Sequence, residues 1–488
     1  MYGSPGHTVI SIFSIAYIFF VMSQAQTNSN KLNKFYKYFI AAVKGEETSL
    51  TSGSINKAIF MLAVPMILEM GMESIFAVVD IFYVSRLGTA AAATVGLTES
   101  ILAIIYAIAV GLSMATTAMV ARRIGEKRPA EAAEAAVQSM IIAVGIGVLI
   151  GLGGIIFAAD ILRLMGGSEQ LVREGFTFTL IMLGGNVIII LLFLNNAIFR
   201  GAGNASIAMR SLIIANCLNI ALGPIFIFVL GLGVKGAAIA TTIGRGTGVL
   251  YQFYVLFGKT SVIKITRKDF NMNMHLMYKI FKIALGGMGQ FLIGSASWIF
   301  LVRIISEFGD DAVAGYTYAF RVIVFTILPS WGLANAAATM VGQNLGAGHP
   351  ERAERSVWKA AFYNMVFLGV VSVIFFLLAG DIISLFSKEG AAHTYGTLGL
   401  KYICLGYVFF AYGMVITQSF NGAGDTKTPT LINVFCNWIV EIPLAYLLAV
   451  TLGMGPSGVY IGMVISFTLT AIISILIFRA GRWKAVRV

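Results

Sequence analysis

Glu69, Glu73 and Asp80 stand in an otherwise apolar run of Met, Ile, Val and Phe between Ile55 and Tyr83. At about 100° per residue their spacing puts them at about 0°, 40° and 20° around a helix, so all three share one narrow face. With a rise of about 1.5 Å per residue they form a ladder some 16 Å long. An acid at the centre of a bilayer costs about 2.5 to 3.5 kcal/mol on insertion scales, so three in a row must face water or partners. Desolvation and mutual repulsion favour the neutral form of at least one of them, which makes this face a candidate for binding and releasing a proton or a cation. For Glu69 and Glu73 the competing expectation is a plain hydrogen bond to a neighbouring helix. Glu99 and Glu441 are further acids inside apolar stretches.

The elements that must position these groups follow from composition. The 488 residues are 58% hydrophobic and only 11% charged, with a mean hydropathy of +0.87. Soluble domains carry about 25% charged residues, so a water-soluble enzyme is excluded. Twelve apolar stretches long enough to span a bilayer run from 55–83 to 458–478. The net charge of +12 is a matter of topology, not of nucleic-acid binding. Most Lys and Arg fall on the N-terminal tail, alternate loops and the C-terminal tail. Arg86, Arg163, Arg173, Lys235, Arg303 and Lys388 fall on the opposite side. By the positive-inside rule both termini are cytoplasmic, in a multi-pass protein of the cell membrane.

Neither the three cysteines nor the four histidines have metal-ligand spacing, so no metal centre or cofactor is implied. Gly231 to Gly236 matches GxGxxG, but between membrane helices with no strand before it, which reads as a tight turn. Gly422-Ala423-Gly424-Asp425 is similar to a GxGD protease motif, yet the second aspartate such chemistry needs is missing. Val9 to Met22 is too short for a comfortable span, and no role is assigned to residues 1–54.

Sliding the chain against itself by 221 residues reveals a repeat. Gly125 meets Gly346, Pro129 meets Pro350, Gly201-Ala202-Gly203 meets Gly422-Ala423-Gly424, and Asn216 meets Asn437. The register breaks only near the turn after Gly231, where the second half gains two residues. Six spans separate equivalent points, so the halves enter from the same side and the repeat is parallel, about an axis along the membrane normal. The expected fold is an all-α integral membrane protein, with twelve transmembrane helices in two six-helix lobes. The first lobe is expected over 55–257, an inter-lobe linker over 258–278, the second lobe over 279–478 and a basic tail over 479–488. A cleft between two such lobes is the layout of alternating access. The acids were not kept in the duplication, since Glu69, Glu73, Asp80 and Glu99 fall on Gln290, Gly294, Leu301 and Phe320.

Pro65, Val79-Asp80-Ile81 and Arg86-Leu87-Gly88 resemble the first helix of the multidrug and toxic compound extrusion family. Val120 to Gly125, Arg200 to Gly203, Gly233 to Thr241 and Asn421 to Pro429 resemble it too, and the likeness covers roughly 55–478. The resemblance implies export of organic cations or amphipathic compounds against a proton or sodium gradient. It implies a first-lobe cation site at Asp80, Asn219 and Thr241, a possible sodium position, with Gly223 where the pattern has a second acid. Glu73 or Glu99 is a candidate for that lost charge. Glu441 and Gln290 are expected to line the substrate cleft. The expected partners are a small substrate and the bilayer, not nucleic acid, with the chain acting as a monomer. The competing classes are a flippase or exporter of a lipid-linked or anionic substrate, and an intramembrane enzyme.

Overall fold

The computed structural model describes residues 29–258 and 262–488, and among these no strand occurs. An amphipathic helix, α1 (Ser29–Lys44), precedes the bundle and packs Ala41 and Ala42 against Met61. The apolar run Val9 to Met22 lies outside the described residues. The first lobe comprises α2 (Ile55–Ser85), α3 (Thr89–Gly125), α4 (Pro129–Leu164), α5 (Glu169–Gly184), α6 (Asn186–Gly201), α7 (Ala205–Pro224) and α8 (Gly233–Leu256). The second comprises α9 (Met274–Ile305), α10 (Asp310–Gly346), α11 (Pro350–Leu377), the short α12 (Ala379–Ser384), α13 (Ala391–Ala423), α14 (Lys427–Asn433), α15 (Ile442–Tyr446) and α16 (Pro456–Arg479). Pro129 and Pro350 open α4 and α11, where a missing N–H costs nothing.

Eleven helices among the described residues are long and apolar enough to cross a membrane, with α5 and α6 forming one span. The twelfth expected span is the 24-residue helix α8, which is not one of the eleven. Its glycines, threonines and Arg245 dilute its apolar character, and it packs among α5, α6 and α7.

The lobes meet where α2 packs on α10, α3 on α9, and α3 on α10. These contacts obey the repeat. A Cβ on Gly125 would strike the Gln343 carbonyl, and one on Gly346 would strike the Arg122 carbonyl. Likewise Gly111 abuts Ala284 and Met288, while Gly332 lies against the Met66 carbonyl. In a membrane, association rests on close packing, which small residues permit. Here they let the two backbones touch around the pseudo-twofold axis.

The register between the halves shifts by one residue, not by two, and does so before the turn. Ile225–Val229 and Leu447–Thr451 are both π-helical, and the Gly236 contact with Phe226 and Ile227 repeats as Gly458 with Leu448 and Ala449. All of these pairs are 222 apart. The second half has one further π segment, Val434–Glu441, and such a bulge accommodates an inserted residue. Accordingly Asn216 donates to the Met72 carbonyl at 2.9 Å, while Trp438 donates to the equivalent Ile293 carbonyl at 3.0 Å. The structural counterpart of Asn216 is Trp438, not Asn437.

Candidate functional site

The acidic face of α2 meets two arginines. Glu69 is fully buried and its Oε1 accepts from Arg200 Nη1, on α6, at 2.9 Å. One turn on, Glu73 Oε1 accepts from Arg245 Nη2, on α8, at 3.0 Å. The Arg245 guanidinium lies 4.9 Å from the centre of the Phe76 ring and 5.8 Å from that of Tyr106, within cation–π range. Only 4% of Arg245 is exposed. Both glutamates are thus bonded to a neighbouring helix, each by a charged partner.

The second lobe shows what the Glu69 pair does. Its equivalents, Gln290 and Asn421, bond each other through both amides at 2.9 and 3.0 Å. Gln290 also donates to the Thr426 carbonyl at 3.1 Å. One lobe ties these two helices by an ion pair, the other by an amide pair. Gln290, expected in the substrate cleft, is buried in this tie.

Asp80 is half-buried two turns beyond Glu73, and the charges of Glu99 and Arg245 bear on it. Glu99, on α3, is exposed. Asn219 and Thr241 are both buried, and Asn219 Nδ2 donates to Thr241 Oγ1 at 3.1 Å. Alongside them α2 and α7 run together, since the Tyr83 hydroxyl donates to the Ile220 carbonyl at 3.4 Å. The Tyr83 ring stands 3.2 Å from where a Cβ on Gly223 would be. An aromatic ring therefore takes the space beside the position where the family pattern has its second acid.

In the second lobe Glu441 closes the extra π segment, 4% exposed, and accepts from Ser297 Oγ at 3.1 Å. By the one-residue shift its first-lobe counterpart is Asn219. Tyr316 stacks on Tyr460 at 6.2 Å and on Phe320 at 5.7 Å, and the charge of Glu441 bears on Tyr316. Among the described residues no group of three or more His, Cys, Asp or Glu is placed to hold a metal ion.

Sequence reasoning placed the acids on one face but missed both arginine partners. For Arg200 the signal was present, because an amide replaces each member of the pair in the second half. For Arg245 it was not, since neither a motif nor spacing ties α8 to α2.

The family model described as MatE matches twice, over residues 65–225 and 288–447, once in each lobe. The chain belongs to the MatE family. Its MatE relatives include a probable multidrug resistance protein, YpnP, of Bacillus subtilis, 24% identical over 90% of this chain and 98% of that protein. Another is the multidrug export protein MepA of Staphylococcus aureus, 22% identical over 87% of this chain and 93% of that protein. Among solved structures, the outward-facing conformation of a multidrug resistance MATE transporter of the MOP superfamily matches with a TM-score of 0.85 and 29% identity, over 90% of this chain and 100% of that one. A MOP superfamily transporter from Pyrococcus furiosus, described as having a binding pocket of reverse polarity, matches with a TM-score of 0.84 and 28% identity over the same shares. As a MatE protein the chain is a multi-span membrane transporter of the cell membrane and not an enzyme.

Proposed function

We propose that the chain is a multidrug exporter that moves small organic cations or amphipathic compounds outward against a flow of protons or sodium, by alternating access. The observation that carries this reading is the first-lobe cluster of Glu73, Asp80, Glu99 and Arg245, charged side chains within the apolar helices of one lobe that are replaced by Gly, Leu, Phe and Phe at the equivalent positions of the other. Charged groups inside a membrane are costly and are retained for ion or substrate pathways. Binding of an ion at Asp80 and of substrate in the cleft favours different conformations, and coupling needs only that each ligand bind the two states unequally. In this reading Asn219 and Thr241, bonded to each other, belong to the same site, and Glu441 offers the second lobe's acid to a cationic substrate.

Cationic cargo is favoured over an anionic or lipid-linked one because, of the three arginines buried among the described residues, Arg200 and Arg245 are each bonded to a glutamate and Arg122 to the Val486 carbonyl. The names of the Bacillus and Staphylococcus relatives support a multidrug role. In this reading a single chain carries the whole pathway, no cofactor takes part, and both termini are cytoplasmic.

The test is movement of a fluorescent organic cation in proteoliposomes under imposed pH or sodium gradients. Wild type is expected to move the dye. Asp80→Asn, at matched reconstitution, is expected to lose more than about tenfold of the gradient-driven rate, the equivalent of only ~1.4 kcal/mol of coupling. Wild-type protein inert under both gradients, with a known exporter active alongside, rejects the reading.

A further inference from the structure

A bound sodium ion, as implied by the family resemblance, needs several oxygen ligands that are not already engaged, and room. The first lobe does not offer them. The positive charge among Glu73, Asp80 and Glu99 is already built into the chain, because Arg245 bonds Glu73 at 3.0 Å and its guanidinium is held beside the Phe76 and Tyr106 rings. The space beside Gly223, where a second acid would project, is held by the Tyr83 ring. Asn219 and Thr241 are bonded to each other. These residues do not fit a sodium ion.

The repeat supplies an internal control. Glu73 and Asp80 fall on Gly294 and Leu301 at the offset of 221, and Arg245 falls on Phe467 at the offset of 222 that holds beyond the π segment. The arginine is absent where the acids are absent, as expected if it is there on their account. The Glu69 tie behaves differently, persisting in the second lobe as an amide pair.

We propose that the guanidinium of Arg245 is the resident counter-cation of the first-lobe acid cluster and stands in place of a bound sodium ion, so that coupling through this lobe is independent of sodium. This rests on the reading of the cluster as the coupling site and deepens it. Arginine keeps its proton in proteins, so the charge is permanent. Its Nη1 has no carboxylate partner, and the guanidinium has the Tyr106 side chain as a hydrogen-bonding neighbour, so a second carboxylate can take that donor when the lobe rearranges. Glu73, Asp80, Glu99 and Tyr106 are the titratable groups whose charges act on Arg245 here.

The experiment follows thermal unfolding of the purified full chain in detergent, with choline chloride exchanged for sodium chloride at constant ionic strength. Wild type and Arg245→Lys are expected to show no sodium-specific shift. Arg245→Gln leaves the acids uncompensated and is expected to gain a saturable, sodium-specific rise on the order of 2 °C. A saturable sodium-specific rise in wild type overturns the proposal, as does a folded Arg245→Gln protein indifferent to sodium. If Arg245→Gln cannot be recovered folded, the wild-type and Arg245→Lys titrations still decide, together with transport. Dye movement driven by a pH gradient and unchanged when choline replaces all sodium supports the proposal, and movement that requires sodium overturns it. A wild type that moves no dye under any gradient fails the functional reading alone, and the sodium titration of the purified protein then judges Arg245 by itself.

Discussion

Glu73 and Arg245 belong to one unit, and what each does depends on the other being present. A buried ion pair contributes little net stability, but removing one partner strands the other charge, at a cost of about 3 to 5 kcal/mol. Glu73→Gln, which leaves Arg245 buried and unpaired, is therefore expected to destabilise the protein by an amount in that range. The Glu73→Gln/Arg245→Gln double variant is expected to recover most of that loss while losing transport. Thermal unfolding of the three proteins in detergent checks the first statement and proteoliposome transport the second. Equal destabilisation by the single and double variants would show that the pair is not coupled. Gly223 gives a second case. Its Cβ position is 3.2 Å from Tyr83 ring carbons, so Gly223→Ala requires the ring to give by a few tenths of an ångström. A small drop in melting temperature is expected, and it should vanish in a Tyr83→Ala background.

Between elements, the tie that joins α2 to α6 and its second-lobe counterpart show two chemical solutions at one geometry. Glu69 and Arg200 bond at 2.9 Å, and Gln290 and Asn421 at 2.9 Å and 3.0 Å. Because the amide version works in the second lobe, the Glu69→Gln/Arg200→Asn double variant is expected to fold and transport. Arg200→Asn alone strands the fully buried Glu69 and is expected to lose about 3 kcal/mol or more. Yield of monodisperse protein and melting temperature read this directly. If the double variant loses transport while keeping its stability, Glu69 does more than tie helices. The extra π segment Val434–Glu441 is the other departure from strict duplication. One inserted residue turns the chain beyond it by about 100° on a helix, and this sets Glu441 opposite Ser297 and at the place of Asn219.

Across the whole molecule the lobes are locked together where α3 and α10 end, through Gly125 against Gln343 and Gly346 against Arg122. The C-terminal segment reinforces that end: Trp483 is buried and stacks on Phe478 at 4.6 Å, Arg122 donates to the Val486 carbonyl and Arg123 to that of Val488. In the topology proposed from the charge distribution this end is cytoplasmic, and the lobes are packed together there. Gly125→Val and Gly346→Val place a branched side chain against backbone that has no freedom to move. Each is expected to abolish transport while the protein still inserts in the membrane, and to raise labelling of cysteines introduced between the lobes at this end. Labelling unchanged from wild type would mean that the glycines do not govern closure.

Sequence alone determined the environment, the helices and the repeat, because each is written in local composition or in fixed spacing. Apolar runs of bilayer length can satisfy their backbone only as helices, and a duplication preserves its offset wherever packing forbids insertion. It also put Glu69, Glu73 and Asp80 on one face, since helical periodicity decides that within one element. Only tertiary structure decided the partners. Arg200 and Arg245 lie 131 and 172 residues from the acids they bond, and no local rule relates them. The same holds for the Tyr83 ring beside Gly223. The one-residue shift at Val434–Glu441 escaped the sequence because Asn216 and Asn437 are identical at the unshifted offset. Backbone hydrogen bonding, which alone distinguishes a π turn from an α turn, set Trp438 in that place instead.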